Sequence, residues 1–289
     1  MRIAAVIIIY NPDHSIIKHI NSFGDDVEKI LIYDNSEQPN EYSLELMGLD
    51  KGLYFSDGIN NGIAKRLNEA VRTAVAEGFD YLLCMDQDSF FPAGSFKKYL
   101  SYINAFKKKE HTVVWGTKFS DQLLASAPGK DLYEQSTFII TSGSLINLSL
   151  QKTIGAFDEN LFIDLVDKEY CLRALENNLL CIRINEALLH HRLGRAIRRA
   201  SIKSLYLVKK EKIIHSPLRC YYILRNAYYV NALYRHSPNP EVKKMAGIIV
   251  KNAKNYISRC IFYGDQPLQV MKYAVKAIAD FKKRKMGKV

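Results

Sequence analysis

The chain has no uninterrupted apolar run near the ~20 residues that a membrane-spanning helix needs, so the sequence predicts no such span. Its N-terminal apolar stretch, Ile3 to Tyr10, is too short for a signal peptide. It runs into Asn11-Pro12 instead of a small-residue cleavage site and reads as a first buried strand. Cysteine is sparse. The five residues at 84, 171, 181, 220 and 260 show no paired metal spacing, and reduced thiols in a cytoplasmic protein are the simplest account of them. The single tryptophan, Trp115, is expected in the core. No internal repeat, low-complexity segment or nucleophile elbow is present. Acid is what the last third lacks: residues 195–289 hold 4 Asp and Glu against 22 Lys and Arg, whereas residues 1–194 hold 26 against 19. An acidic body with a basic tail points to an anionic membrane surface, a polyanionic acceptor or nucleic acid.

What is present is a regular alternation of strands and helices. Strands are expected at Ile3–Tyr10, Lys29–Tyr33, Leu53–Phe55 and Asp80–Met85, with helices at His14–Phe23, Ile63–Glu77 and Ala93–Phe106. Further strands are read at Val113–Trp115, Gln135–Ile140 and Leu180–Ile184. Ser120–Asp131 is expected to be an exposed loop, and Leu165–Asn177 a helix. The alternation predicts an α/β fold, a mostly parallel central sheet with helices on both faces. Beyond Arg195 the pattern changes to an edge strand within Ser204–Ile214 and three basic amphipathic helices, Leu218–Tyr234, Glu241–Tyr263 and Pro267–Lys285. We expect a catalytic domain over 1–200. Residues 201–289 are expected to form a basic, aromatic-rich helical appendage that completes the acceptor side and docks on membrane.

Asp80-Tyr-Leu-Leu-Cys-Met-Asp-Gln-Asp-Ser89 is the most informative segment. A buried strand ends in Asp86-Gln87-Asp88, placing two carboxylates where open α/β sheets bind ligands. Such acids repel unless a proton or cation lies between them, and Mg²⁺ or Mn²⁺ bridges carboxylates to substrate phosphates. The alternative is an acidic turn with Ser89 as the N-cap of the next helix and Pro92 in its first turn. Asn11, Asp34-Asn35-Ser36 and Asn60-Asn61-Gly62 fall at the same sheet edge. There Asp34 can accept hydrogen bonds from a base or ribose, and the Gly62 backbone can approach a ligand closely.

Val-Ile-Ile-Ile-Tyr-Asn-Pro (6–12), Tyr-Asp-Asn-Ser (33–36), Asn-Asn-Gly-Ile-Ala (60–64) with Asn68, and Met-Asp-Gln-Asp-Ser (85–89) together resemble inverting family 2 glycosyltransferases. Thr141-Ser-Gly-Ser144, the Phe157–Arg173 block, His190-His-Arg-Leu-Gly194 and His215–Asn226 extend the likeness, the last two towards the bacterial rhamnosyltransferase branch. The resemblance implies the GT-A fold. It also implies transfer of L-rhamnose with inversion from dTDP-L-rhamnose to a saccharide acceptor, lipid-linked, in cell-surface polysaccharide synthesis. The protein would lie on the cytoplasmic side, peripheral on the inner face of the membrane. By the same resemblance Asn11, Asp34, Asn61, Gly62 and Asp86 bind the nucleotide sugar, and Asp88 holds a Mg²⁺ or Mn²⁺ ion. His191 is a further metal ligand or diphosphate contact. Asp167 is the base, although Val166 stands where many relatives have glutamate, and Asp164 and Glu169 remain alternatives.

An inverting displacement needs a base for the acceptor hydroxyl and a means of stabilising the departing diphosphate. Arg219 and Arg225 are candidates for the second task beside the cation. Adjacent His190 and His191 at a strand end point to opposite faces, so one of them at most reaches the site. Arg173 is expected to brace the Asp167 helix through a salt bridge. A hexosyltransferase using a UDP-sugar and a nucleotidyltransferase are the alternatives. The latter wants a Gly-rich basic loop after the first strand, and Asn11-Pro-Asp-His14 has neither glycine nor lysine. A non-enzymatic adaptor is disfavoured by the extra acids at 164, 167 and 169, and no nucleic-acid partner is expected.

Overall fold

The computed structural model describes residues 1–119, 131–191, 195–200 and 209–289, with the backbone alone at 195–200 and 209–213. It comprises two compact units: Met1–Glu159 with Val166–Arg192, and Asn160–Leu165 with Leu193–Val289.

The first unit runs β1 (Ile3–Ile9), α1 (Ile16–Asn21), β2 (Lys29–Asp34), α2 (Ser43–Met47), β3 (Gly52–Ser56), α3 (Gly62–Ala76) and β4 (Tyr81–Asp86). It continues through α4 (Ser95–Ala105), β5 (Thr112–Phe119), β6 (Tyr133–Gln135), β7 (Ser144–Asn147), α5 (Gln151–Ile154), α6 (Val166–Glu176) and β8 (Leu180–Leu189). The strands form one eight-stranded sheet in the order β3-β2-β1-β4-β7-β5-β8-β6. Only β6 and β7 run against the rest. β1, β2 and β4 are continuous apolar runs because both faces of the sheet are covered. Ile3, Ala5, Ile7 and Ile9 turn to the face filled by Ile16 and Ile20 of α1 and Phe96, Tyr99 and Ile103 of α4. Alternate residues face the other way. There Tyr33 meets Arg66 of α3, and Val114 and Ile146 meet Tyr170 and Cys171 of α6. Trp115 is fully buried, edge-on to Phe106, as the sequence suggested.

β1 lies between β2 and β4, with parallel registers on both sides. The chain winds one way from β1 to β2 and the other way to reach β4. A crevice therefore opens at the carboxyl ends of β1 and β4, where the crossovers part.

Several expectations need correction. Gln135–Ile140 is not a strand: β6 ends at Gln135, and the Ser136 hydroxyl turns back locally, donating to the Phe138 carbonyl and accepting from the Phe138 N–H. β8 runs to Leu189, five residues beyond the expected end. The antiparallel β7 was not foreseen, because four residues inside Thr141–Asn147 are too few to show a period. Ser89 is not a helix cap. α4 starts at Ser95 after Gly94, and the Ser89 hydroxyl is turned to His191. Of the expected exposed loop, residues 120–130 lie outside the described residues.

In the second unit β9 (Arg195–Ala200) and β10 (Lys209–Ile214) pair antiparallel in a separate two-stranded sheet. The edge strand expected over Ser204–Ile214 appears from Lys209 as β10, in this separate sheet; residues 201–208 lie outside the described residues. Three helices follow, α7 (Pro217–Tyr234), α8 (Pro240–Tyr263) and α9 (Pro267–Lys282), each with proline in its first turn. The Ser216 hydroxyl caps α7 by accepting from the Arg219 N–H, and the Asn239 amide oxygen caps α8 by accepting from the N–H groups of Glu241 and Val242. All five cysteines are free and buried.

The α7–α9 contact is polar at its centre. The buried Asp280 carboxylate accepts from Tyr221 Oη at 2.9 Å and Lys276 Nζ at 2.6 Å, and Tyr221 Oη accepts from Arg225 Nη1 at 3.1 Å. The Lys276 bond holds the Asp280 carboxyl below its ordinary value. A depressed carboxylate stabilises the fold above the unfolded value of about 3.9, and the gain is lost as pH falls through the lower folded value. Asp280→Asn is expected to destabilise by about 1–2 kcal/mol at neutral pH, Lys276 being half-exposed and screened. Thermal melts should show the gap to wild type closing below about pH 4.

Candidate metal and nucleotide-sugar site

Asp86 closes β4 at the crevice, and the next turn is pinned on three sides. Gln87 Oε1 accepts from the Tyr10 N–H at 2.6 Å while Gln87 Nε2 donates to the Tyr10 carbonyl at 3.2 Å, tying the turn to the end of β1. The Asp86 N–H donates to Ser142 Oγ at 3.2 Å. Phe90 and His190 exchange backbone hydrogen bonds of 3.0 and 2.9 Å, and the Phe90 ring stacks between His19 and His190. This bridge carries the chain after β8 back to the acidic turn. His190 faces Phe90, and its neighbour His191 faces Asp86 and Asp88, so one histidine of the pair reaches the acids.

Asp86, Asp88 and His191 each offer a ligand atom within 4.8 Å of the others. His191 Nδ1 lies 3.8 Å from Asp86 Oδ2, 3.9 Å from Asp88 Oδ1 and 2.7 Å from Ser89 Oγ. The buried Ser89 hydroxyl therefore fixes the imidazole. The two carboxylates are nearly half-exposed, at 43% and 48%, and the imidazole is 12% exposed, so the cluster opens to solvent on its acid side. Two carboxylate oxygens and one imidazole, with an open side for water and phosphate, fit Mg²⁺ or Mn²⁺.

The neighbouring strand ends carry a polar lattice. The buried Asp34 carboxylate accepts from the Ser36 N–H at 2.7 Å and from Asn40 Nδ2 and Tyr54 Oη at 2.5 Å each. Burial and the Asp34 charge push the Tyr54 phenol up to about 12, so it stays a donor. Asn35, also buried, accepts from the Asn61 N–H and Arg66 Nε and donates to the Gly62 carbonyl, stitching β2 to the start of α3. Gly62 sits at φ +77°, a left-handed conformation open to glycine. Asn61 Nδ2 donates to Asp57, and the Asn11 N–H donates to Ser36 Oγ. Asn35, Tyr54, Asn40, Ser89 and Ser142 were not assigned from sequence. Asn35, Ser89 and Ser142 stand inside quoted motifs, but nothing local marks Tyr54 or Asn40.

Asp167 occupies the first turn of α6. Its Oδ1 accepts from the Lys168 N–H at 2.8 Å and its Oδ2 from the Thr141 N–H at 3.3 Å. Thr141 is next to Ser142, which holds the Asp86 N–H. One loop thus bonds both carboxylate segments, across a single ~3.8 Å Cα step. That loop depends on Gly143. At φ +72° a Cβ there would stand 2.7 Å from Leu189 and 3.0 Å from Thr117.

The two alternatives to Asp167 have structural partners. Glu169 is buried and paired with Arg173 at 2.6 Å, the expected salt bridge, and Arg173 Nη1 also donates to the Ile154 and Ala156 carbonyls. Asp164, in the second unit, takes two nitrogens of Arg219 at 3.1–3.3 Å. It and Leu165 have φ of +65° and +68°, and Asn226 Nδ2 donates to the Ile163 and Asp164 carbonyls. Arg225 is fully buried between the faces of Tyr221 and Tyr222, with Nη2 lacking a partner. His215, nearby in sequence, has its imidazole pushed down by burial and by the Arg219 charge.

No known family model matches the chain. It is 28% identical over 249 residues to the dTDP-rhamnosyl transferase RfbF of Shigella flexneri, covering 78% of each chain. The structure of S. aureus TarS residues 1–349 in complex with UDP-GlcNAc aligns with a TM-score of 0.60 at 16% identity, over 97% of this chain and 80% of that one. GalNAc-T7 with UDP, GalNAc and Mn²⁺ aligns at 0.55 and 13% identity, over 90% and 57%. These likenesses, with the sheet order, show the GT-A fold.

Asp88→Ala should abolish measurable Mn²⁺ uptake in titration calorimetry. Ser89→Ala, which frees the imidazole, should weaken uptake by roughly 10–100-fold. Wild-type affinity in both variants would place the cation elsewhere.

Proposed function

We propose that this chain, a glycosyltransferase of the GT-A fold, moves L-rhamnose with inversion from dTDP-L-rhamnose to a saccharide hydroxyl. The observation that carries the chemistry is the Asp86–Asp88–His191 group at the crevice beside β1 and β4. The Shigella relative supports the choice of sugar.

Asn11, Asp34, Asn61 and Gly62 are assigned to the nucleotide and Asp86 to the donor sugar. A base or ribose approaching Asp34 would exchange with Asn40 or Tyr54, which now donate to it. Asp88 and His191 would hold a divalent cation, Mn²⁺ or Mg²⁺, which when bound neutralises charge on the departing diphosphate. Arg219 is kept as a candidate for donor contact; Arg225, fully buried and bonded to Tyr221 and Asn226, is given a structural role instead.

Asp167 is the proposed base. Its carboxylate accepts from the Lys168 and Thr141 N–H groups at the start of α6, and the Thr141 loop also holds the Asp86 segment, which supports Asp167 as the group that takes the acceptor proton. Glu169 is committed to Arg173, and Asp164 to Arg219. Cys84 at the end of β4 is no rival: burial pushes its thiol up to about 12, so no thiolate forms near neutral pH. The Asn11-Pro-Asp-His14 turn has neither the glycine nor the lysine that a triphosphate loop uses and carries a carboxylate at Asp13, which disfavours nucleotidyl transfer.

The acceptor we propose is a lipid-linked saccharide met at the inner face of the cell membrane, with the protein peripheral to it. Among the described residues no helix is long and apolar enough to cross a membrane.

Asp167→Asn should lower transfer by roughly 10²–10⁴-fold with donor affinity nearly unchanged. Near-normal turnover would remove Asp167 as the base. Thermal stabilisation by a panel of nucleotide sugars, with and without Mn²⁺, tests the donor. Preference for dTDP-rhamnose supports the reading, and preference for a UDP-hexose makes the protein a hexosyltransferase.

A further inference from the structure

The second unit carries a surface that the transfer chemistry does not use. α9 turns one face inward: Val270, Ala277 and Asp280 are buried, Tyr273 packs edge-on to Tyr221, and Phe281 stacks on Tyr228. Its outer face is not the usual charged one. Leu268 is 75% exposed, Met271 40% and Val275 69%. These residues recur at i, i+3 and i+7, which aligns them along one side of the helix. Lys272, Lys276 and Lys282 share the outer face and are exposed. The only acid in α9, Asp280, is buried and bonded to Lys276, so the helix shows lysine and apolar side chains to solvent and no carboxylate.

An apolar line edged by lysines on a helix too polar to span is the pattern of a helix that lies in a bilayer interface, with its apolar side chains among the acyl chains and its ammonium groups at the headgroups. The surrounding charge fits an anionic sheet of lipid: residues 195–289 carry 22 Lys and Arg against 4 Asp and Glu, and Lys283, Arg284, Lys285 and Lys288 follow α9 directly. A second copy of the chain fits less well. A twofold contact through α9 would set lysine against lysine around the apolar line, with no acid of the helix to relieve it. A nucleic acid would use the lysines and leave Leu268, Met271 and Val275 without a role.

We propose that the outer face of α9 docks the protein on an anionic phospholipid surface, with Leu268, Met271 and Val275 inserting and Lys272 and Lys282 contacting headgroups. The proposal deepens the lipid-borne acceptor reading and rests on it for its purpose. Its test needs neither donor nor acceptor, so the two can fail separately.

The full-length protein is sedimented with phosphatidylcholine vesicles that contain or lack phosphatidylglycerol, at rising salt. Wild type should bind the anionic vesicles and release from them as salt increases. Leu268→Ser/Met271→Ser/Val275→Ser should lower partitioning about tenfold or more. Lys272→Gln and Lys282→Gln should each lower it by roughly fivefold on anionic vesicles alone. Lys276 is left intact because it holds Asp280. Circular dichroism and thermal melts confirm that the variants fold; none of these residues belongs to the site above. Equal binding to neutral and anionic vesicles overturns the proposal, as does wild-type partitioning of the triple variant. Light scattering that finds a dimer, made monomeric by the triple variant, overturns it in favour of an interface between copies.

Discussion

Two carboxylates two residues apart at the end of a buried strand repel each other, and the turn that holds them would relax if it were free. It is not free. The Gln87 side chain closes a two-bond ring with the backbone of Tyr10, Phe90 is paired with His190, and the Asp86 N–H is taken by Ser142. Three elements remote in sequence thus oppose the repulsion and keep both acids directed at one point, with His191 as the third group. A site organised this way before a cation arrives loses little conformational freedom on binding it. Because the same turn is bonded to the end of β1, the acidic group and the end of the neighbouring strand form one hydrogen-bonded edge of the crevice.

The Thr141–Ser144 loop extends that edge. It leads into β7, the antiparallel strand inserted between β4 and β5, and its tight path past Leu189 admits only glycine at 143. Ser142 bonds to the acidic turn and the Thr141 N–H to Asp167, so the inserted strand is what brings α6 to the crevice. Glu169, two residues further along α6, braces that helix through Arg173. Near 167, Asp167 accepts from two backbone N–H groups, Glu169 is paired with Arg173 and Asp164 with Arg219.

The second unit has a different construction. Its helices meet through aromatic faces and a buried Asp280–Tyr221–Arg225 chain, with few acids to balance its lysines. It also includes Asn160–Leu165, which α7 grips through Arg219, Asn226 and the Phe162–Tyr222 stack. A segment near the middle of the sequence therefore belongs with the C-terminal helices. The left-handed Asp164 and Leu165 are held there by these bonds and not by any preference of their own.

Long periodic elements were legible in the sequence because burial on a helix or a two-sided strand imposes a repeat that a dozen residues can display. β1, β2, β4, α3, α4 and α6 appear within one or two residues of where the pattern placed them, and the three C-terminal helices within about three. Asp86, Asp88 and His191 were recognisable because carboxylates at a strand end and a histidine pair after another strand keep their chemistry in one dimension. Tertiary structure alone decided which histidine joins the acids, since that follows from the Phe90–His190 bridge across a hundred residues. It alone placed β7 between β4 and β5, turned Ser89 from cap to imidazole support, and gave Asp34 its partners Asn40 and Tyr54. The physical reason is the same in each case: a hydrogen bond or an inserted strand is specified by where two distant segments meet, and that meeting leaves no period in either segment.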